Sequence, residues 1–390
     1  MIEWGLLLET RNMRKIRVVF LAALTGACLF FLFERAAVRA VSAGPNPPRS
    51  SDLLERVINL IRNDYLEEKE PIPTMDGSFK GLVNSLDAGC SYLNAESTAR
   101  YQSQKGAALQ ETGVILYKRF GSFPQIIGLV ENSPAAKAGI EIDDSIAEIN
   151  GAGTAPMSLA EVYLYLDDAG GTAVNLKIIR DDKTLEFKTD RALLFPRSVD
   201  YKPQAGTAGI LRVYRLTPSV PLEIKARLAS SIKKQKGTLV LDLRDCSEGS
   251  LDAAWQLVNL FLKADNIGYL AGRGEAKETV SAPGDPVLEK TPLVIWVNRA
   301  TIGPAEAAAG VLRDFARAKV VGLPTLGLVA REDYVPLEDG TSVLLTSGVF
   351  CLRSGAKLWG QGVSPDAKID PASSDFGAYL KKTNELRSSP

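Results

Sequence analysis

The sequence predicts an α/β protein with a mixed, largely parallel sheet with helices, a small β-rich domain inserted ahead of it, and an N-terminal helical segment. Three patterns lead to this fold class. From residue 209 onward, short apolar runs alternate with helical stretches, as expected of βαβ units in a parallel sheet. Residues 113–192 consist of short β-rich runs separated by glycine turns. Residues 52–105 keep apolar side chains at helical spacing, which predicts helices there.

The alternating pattern gives the elements of the α/β core in order. Strands are predicted where apolar residues run without interruption, and helices where apolar residues recur every three or four positions. In chain order these are strand Ile210–Leu216, helix Leu222–Gln235, strand Thr238–Leu243, helix Leu251–Lys263, strand Leu293–Val297, helix Pro304–Ala316 and strand Lys319–Val321.

Shifts in composition indicate the domain organisation. Residues 44–51 are polar and proline-rich, which is typical of a spacer between a membrane segment and a fold. The predicted parts are a signal peptide or membrane anchor (1–45), a linker and N-terminal helical region (46–111), the β-rich domain (112–192), a linker (193–206), the α/β core (207–370) and a C-terminal tail (371–390).

The N-terminus has the pattern of an export signal. Arg14, Lys15 and Arg17 precede an unbroken apolar run over residues 18–33. As a helix this run would span about 24 Å, less than the roughly 30 Å of a bilayer core, so a cleavable signal and a membrane anchor both remain open. Either one predicts export to the periplasm or cell envelope, with membrane contact only through this segment.

Composition and charge exclude several classes of function. The 390 residues include 46 basic and 46 acidic ones, so the chain lacks the clustered positive field that a nucleic-acid partner requires. There is no histidine. This excludes a Ser-His-Asp triad, a Cys-His pair and a zinc site built on histidine. Lysine, carboxylates, tyrosine or a thiol must therefore supply any acid–base chemistry near neutral pH.

The cysteines indicate neither a disulfide framework nor a metal site. Beyond the N-terminal segment they are Cys90, Cys246 and Cys351, an odd and widely spaced set without a CxxC motif. We therefore expect neither a metal nor a cofactor in this protein.

Two neighbouring stretches resemble the core of a PDZ domain: SPAAKAGI at residues 133–140 and DSIAEING at residues 144–151. A PDZ domain binds a peptide tail as an added strand and holds its carboxylate on backbone N–H groups. The resemblance places the carboxylate loop at residues 112–115, beside Glu111, which replaces a family glycine and would repel a carboxylate. The implied groove residues are Gly113, Val114, Ile115, Leu116, Leu159, Val162, Tyr163 and Leu166.

Four further stretches resemble the tail-specific serine proteases, also called C-terminal processing peptidases, in their order and spacing. They are SLDAGCSYL at 85–93, LDLR at 241–244, the segment 297–327 and QGVSPD at 361–366. The resemblance implies the fold of these enzymes, which use a serine nucleophile with a lysine base and so need no histidine.

The catalytic positions of that family fall on residues without catalytic groups. The nucleophile position is Gly303, the lysine position is Leu328, a glutamine position is Glu332, and the two oxyanion positions are Pro304 and Gly249. Pro304 has no N–H to donate, and Glu248 replaces a glycine next to Gly249. We therefore interpret the chain as a catalytically degraded member, a non-catalytic pseudoprotease.

Three functional interpretations follow. The first is a non-catalytic protein that binds peptide or protein C-termini through its PDZ domain and could partner an active family member. The second is an active serine-type endopeptidase with a displaced nucleophile, for which Thr301, Cys246 and the pair Ser354–Lys357 are the candidates. The third is a carrier of small apolar ligands, because the loss of serine and lysine makes the old cleft more apolar.

Overall fold

A computed structural model describes residues 50–66, 71–167, 173–194, 197–205, 207–274, 277–371 and 375–388. The signal or anchor predicted at residues 1–45 lies outside the described residues. Within these ranges, no helix is both long and apolar enough to cross a membrane. The chain divides into two units, residues 1–74 and 75–390, and the three sheets and the candidate site lie in the second unit.

The elements are named in chain order. The helices are α1 (Ser50–Asp64), α2 (Pro71–Asn84), α3 (Ala95–Gln104), α4 (Pro134–Lys137), α5 (Leu159–Leu166), α6 (Ser219–Glu223), α7 (Ala229–Lys234, after a π-helical turn at Ile224–Leu228), α8 (Leu251–Asn259), α9 (Pro304–Asp314) and α10 (Phe376–Ser388). The strands are β1 (Ser91–Leu93), β2 (Val114–Tyr117), β3 (Gln125–Leu129), β4 (Ser145–Ile149), β5 (Ala152–Gly153), β6 (Val174–Arg180), β7 (Lys183–Thr189), β8 (Val199–Lys202), β9 (Ile210–Val213), β10 (Leu239–Asp242), β11 (Ala264–Ala271), β12 (Lys277–Ala282), β13 (Leu293–Val297), β14 (Ala318–Gly322), β15 (Ala330–Pro336), β16 (Ser342–Leu352) and β17 (Ala367–Lys368).

The α/β core is built on a six-stranded sheet in the order β17-β14-β13-β10-β9-β8. Its neighbouring strands are parallel except β8, which runs antiparallel to β9. Strand β13 has the sequence LVIWV and is buried at every residue, as in a strand covered on both faces. Helices α8 and α9 pack on one face, and Tyr379 of α10 packs on the other. The predicted α/β fold class is confirmed.

The core also contains a five-stranded antiparallel sheet, in the order β1-β16-β11-β12 with β15 paired to β16. The predicted alternation of strands and helices does not include it. The helical prediction for residues 52–105 is wrong at β1, because three residues are too few to show a periodicity and their pairing with β16 decides their conformation. Likewise, β8 forms within the predicted linker 193–206, and the predicted tail 371–390 contains α10.

The small β-rich domain consists of a sheet in the order β2-β3-β4-β6-β7, with β5 paired to β4, so that β2 is an edge strand. The N-cap Ser133 and Pro134 at the first helical position start α4. A capping box between Ser158 and Glu161 starts α5, since each side chain accepts the backbone N–H of the other residue. The prediction of this inserted domain is confirmed.

Candidate active-site region

Gly303 is the N-cap of α9 and has φ 57° and ψ −113°. Residues other than glycine rarely adopt this backbone conformation. Strain of this kind is typical of the strand-to-helix turn that presents a nucleophile. A Cβ atom placed on Gly303 would have the carbonyl oxygen of Leu328 as its nearest neighbour, at 3.6 Å. The turn therefore has the shape of a nucleophile position and the room for a side chain, but it carries none.

The carboxylate of Glu306 joins this turn to the loop that holds Leu328. Glu306 is fully buried and accepts the backbone N–H groups of Gly327 at 2.7 Å and Leu328 at 2.8 Å, as well as the Thr325 hydroxyl. Burial raises the pKa of Glu306, although these donors and the Gly303 N–H act in the opposite direction. The structure thus brings the predicted nucleophile and base positions together, with neither catalytic group present.

The two predicted oxyanion positions, Pro304 and Gly249, are explained by different local constraints. Pro304 is the first residue of α9, where a missing N–H is tolerated. Gly249 has φ 144°, and a Cβ atom there would overlap the carbonyl group of Leu216. The neighbouring N–H of Ser250 donates to that carbonyl at 3.1 Å. Close packing against Leu216 therefore explains why glycine is needed at position 249.

Glu332 lies on β15, opposite Thr346 of β16. A Cβ atom on Gly89 would be 2.7 Å from its Oε1, so this side chain reaches the loop formed by Asp87 and Cys90. That loop is shaped by Asp87, whose carboxylate accepts the N–H groups of Gly89 and Cys90 at 2.9 Å each. Desolvation of its carboxyl group and the nearby charge of Asp87 raise the pKa of Glu332. The structure therefore places Glu332 beside the SLDAGCSYL segment.

The first displaced nucleophile, Thr301, is tied into the fold. It is fully buried, its hydroxyl donates to the carbonyl of Leu243 at 2.8 Å, and the same hydroxyl accepts the N–H of Asn298 at 3.0 Å. A hydroxyl held in two hydrogen bonds away from solvent is a structural group.

The other two candidates are equally poor nucleophiles. Cys246 is fully buried, and burial raises the pKa of its thiol to about 12, so it is not a thiolate at neutral pH. Ser354 and Lys357 are both exposed, in the turn that follows β16. Neither position therefore combines an accessible nucleophile with a buried base.

Arg212, Asp242 and Arg244 form an ion-pair network at the carboxyl ends of β9 and β10. Asp242 accepts Arg212 Nη1 at 2.6 Å and Arg244 Nε at 2.9 Å. Burial opposes ionisation of Asp242, but the two guanidinium groups outweigh it and hold its pKa below the usual range. The network lines a cleft of about 640 Å³ that also contains Arg197 and Lys202. Neither Gly303 nor Leu328 lines this cleft, so it is separate from the cleft considered for a small apolar ligand.

The β-rich domain covers the residues that lead into Gly303. Ile115 of β2 and Ile127 of β3 pack with Ala300, Ile302 and Leu326 of the core. Ile115 was predicted as a groove residue, but it is buried in this contact.

The other predicted groove residues belong mostly to the interior of the domain. Val114, Leu116, Val162 and Leu166 are buried in its apolar core, and Leu159 packs against them at the margin. Gly113 has φ 86°, and a Cβ atom there would overlap the side chain of Ser133, so only glycine fits. Among the described residues, the predicted carboxylate loop is therefore present as a backbone shape, and the apolar side chains predicted for its groove pack inside the domain.

Arg215 joins the two loops that depart from the family pattern. Its guanidinium pairs with Glu111, beside the carboxylate loop, and its Nε lies 3.1 Å from Glu248, beside Gly249. In the sequence the two glutamates are separate departures from the family pattern, and no motif points to Arg215. No local signal could have linked them, because Arg215 and Glu111 are 104 positions apart.

The described residues hold no cluster of three or more cysteine, aspartate or glutamate side chains that could bind a metal ion.

Comparisons with known proteins agree with this architecture. The model of peptidase family S41 matches residues 207–369, and the PDZ domain model matches residues 108–190. The carboxy-terminal-processing protease of Bartonella bacilliformis is 27% identical over 331 residues, covering 83% of this chain and 74% of that protein. The carboxy-terminal processing protease CtpA of Bacillus subtilis is 24% identical over 364 residues, covering 92% and 78%.

A solved structure gives the same result for the fold. The photosystem II D1 C-terminal processing protease superposes with a TM-score of 0.69 at 20% sequence identity, covering 84% of this chain and 90% of that one. At this level of identity the likeness speaks for the fold alone.

Proposed function

We propose, from the premise that this chain belongs to peptidase family S41 and carries a PDZ domain, that it is a non-catalytic member which acts by binding protein tails or partner proteins.

The observation that carries the proposal is Gly303 at the strained turn of α9, with room for a side chain but none present. Leu328 supplies no amine to act as a base, and Pro304 supplies no N–H to stabilise an oxyanion. Removal of one oxyanion donor alone typically lowers turnover about 10²–10³-fold. Loss of the nucleophile and base as well leaves no catalytic group at this site.

The scaffold around the site supports a binding role. Glu306 still holds the turn and the facing loop together, and Gly113 still shapes the carboxylate loop. PDZ domains generally bind an extended tail along an edge strand, and β2 is such a strand. The partners we propose are protein C-termini, including those of an active family member.

The N-terminal segment supports a location outside the cytoplasm. Arg14, Lys15 and Arg17 followed by the apolar residues 18–33 are the pattern of a signal peptide or anchor. We therefore propose that the protein works in the periplasm or cell envelope.

The test is a proteolysis assay on an unfolded substrate with an apolar tail. We expect no turnover by the unaltered protein and measurable turnover by the triple variant Gly303→Ser, Pro304→Ala, Leu328→Lys. Gly303→Ser alone is the matched control, since it restores the hydroxyl without its base. Turnover by the unaltered protein that survives removal of contaminating proteases, and disappears on Thr301→Val or Cys246→Ala substitution, would contradict the proposal.

A further inference from the structure

The free edge of β2 already has a hydrogen-bond partner. β2 pairs with β3 on one side only, and a peptide tail would add to its other side. On the edge that faces α5, the backbone N–H of Leu116 donates to the hydroxyl of Tyr163 at 2.9 Å. A tail that extends the sheet requires edge donors of this kind for its own carbonyl groups, so Tyr163 takes the place of a peptide carbonyl.

The carboxylate loop has a partner of its own as well. Asp167 follows the last turn of α5, and its carboxyl group is near enough to the backbone N–H of Thr112 for that donor to lower its pKa. Its position is fixed by its own backbone, because its N–H donates to Tyr163 O at 2.9 Å and its carbonyl accepts Gln104 Nε2 at 2.9 Å. A carboxyl group on a loop N–H is the interaction by which PDZ domains hold a C-terminus.

The surroundings of the half-buried Asp167 favour a carboxyl group that keeps its proton. Burial is the main cause that raises its pKa, followed by the nearby charges of Glu111 and Glu248, and the pKa reaches about 8. The Thr112 N–H and Arg191 act in the opposite direction. The group therefore carries little charge at neutral pH, which lowers the cost of keeping it beside two glutamates.

We propose that Tyr163 and Asp167 are an internal ligand of the PDZ domain: Tyr163 occupies the Leu116 N–H, Asp167 lies at the Thr112 N–H, and the domain binds a tail only when these two side chains are displaced. This proposal rests on the proposed tail-binding function, because it names the side chains that compete with a tail for the PDZ domain. One further feature supports an exchangeable occupant. The Thr112 hydroxyl is buried and, within the described part of the chain, has no hydrogen-bond partner. The loop therefore has a free hydroxyl group that a bound tail could use.

The experiment combines amide hydrogen exchange with tail binding on the full-length protein. The variants are Tyr163→Phe, which removes the hydroxyl and keeps the ring, Asp167→Ala, and their combination. Tyr165→Phe on the same helix is the matched control. We expect faster exchange of the Leu116 N–H in Tyr163→Phe and of the Thr112 N–H in Asp167→Ala. We also expect the double variant to bind an apolar peptide with a free C-terminus at least about tenfold more tightly than the unaltered protein does, since both groups that compete with the tail are removed.

The readouts separate this proposal from the proposed function. Unchanged exchange of both N–H groups overturns the internal ligand, and so does equally tight tail binding by the unaltered protein and the double variant. Faster exchange without tail binding by any variant leaves the internal contacts standing and overturns the tail-binding function instead. The same peptide with an amidated C-terminus shows whether binding depends on the carboxylate, which the loop geometry requires.

Discussion

The buried carboxylate of Glu306 accepts the backbone N–H of Leu328 at 2.8 Å. Glu306 lies in the first turn of α9, one helical turn from Gly303, and Leu328 lies in the facing loop. Together with the bonds from Gly327 and Thr325, this contact holds the loop of Leu328 against the turn of Gly303, the two positions that the family resemblance assigns to base and nucleophile. Glu306, which is not a catalytic residue, therefore preserves the geometry that would align a nucleophile with its base.

The first prediction concerns the stability that Glu306 contributes. Glu306→Ala leaves the N–H groups of Gly327 and Leu328 without an acceptor in the protein interior, so we expect the free energy of unfolding to fall by about 2–4 kcal/mol. Glu306→Gln keeps one acceptor oxygen but directs its NH2 group at the other backbone donor, so it should recover only part of that loss. Urea unfolding measures both, with the exposed Glu338→Ala as a control that changes stability by less than about 0.5 kcal/mol. Equal losses for Ala and Gln would argue against the hydrogen bonds as the cause.

The second prediction compares the stability cost of an alanine at three glycines that differ in backbone angle and in the space around them. Gly303 has room for a Cβ atom, so Gly303→Ala should cost only the strain of its positive φ, about 1–3 kcal/mol. Gly249→Ala adds an overlap with the Leu216 carbonyl and should cost clearly more. Gly153→Ala, with open space and no positive φ, is the control and should change stability by less than about 1 kcal/mol. Thermal unfolding ranks the three, and a neutral Gly303→Ala is incompatible with the turn described here.

Sequence patterns could predict the parallel sheet because its strands are buried on both faces. A run such as LVIWV in β13 has few alternatives to a buried strand, and the Gly303-Pro304 pair marks a helix start by itself. β1 and β8 are three and four residues long, and their conformation comes from partner strands rather than from their own pattern. This is why the sequence pattern does not reveal β1 and β8.

The positions of the candidate site followed from motif order, but its contacts did not. Order and spacing along the chain located Gly303 and Leu328, whose proximity then depends on the folded loop around Glu306. The bond between Tyr163 and Leu116 joins residues 47 positions apart, and no periodicity encodes it. Burial also reversed one expectation, since a sequence pattern cannot tell whether an apolar groove residue such as Ile115 faces a peptide or the neighbouring domain.

The third prediction concerns Arg215, which pairs with Glu111 and Glu248. Arg215→Met leaves the mostly buried Glu111 carboxylate without this cation, so we expect a loss of about 2–4 kcal/mol in the free energy of unfolding. Adding Glu111→Gln should recover more than half of the loss, because it removes the uncompensated charge. The exposed pair of Arg331 and Glu278 provides the control, and Arg331→Met should cost less than about 1 kcal/mol. A double variant as unstable as Arg215→Met itself would exclude the ion pair as the source.

The fourth prediction concerns the reactivity of the cysteines. Cys90, Cys246 and Cys351 are buried, and the pKa of the Cys246 thiol is raised to about 12. In a Cys28→Ser background, we expect iodoacetamide to modify the native protein at neutral pH at least about 100-fold more slowly than the urea-unfolded protein, because both access and thiolate are missing. Mass spectrometry of the peptide that contains Cys246 gives the rate. Rapid modification of this one thiol in the native state would revive Cys246 as a displaced nucleophile.

The fifth prediction concerns the pH dependence of stability at Asp167. Its pKa is about 8 in the folded protein against an ordinary value of 3.8, so between these values the folded state binds a proton that the unfolded state has released. The stabilisation from that proton is complete below about pH 4 and is lost as the pH rises toward 8 and above. Asp167→Asn cannot ionise, so its stability should fall less steeply over this range.

We therefore expect the difference in urea midpoint between Asp167→Asn and the unaltered protein to shift in favour of the variant from pH 5 to pH 9. The slope is the relevant quantity, because the substitution can change stability by a constant amount at every pH. Asp190→Asn is the matched control, since Asp190 is exposed and its substitution should leave the slope unchanged. Parallel curves for Asp167→Asn and the unaltered protein would mean that the carboxyl group is ionised throughout, and that Glu111 and Glu248 are better neutralised by Arg215 than the raised pKa implies.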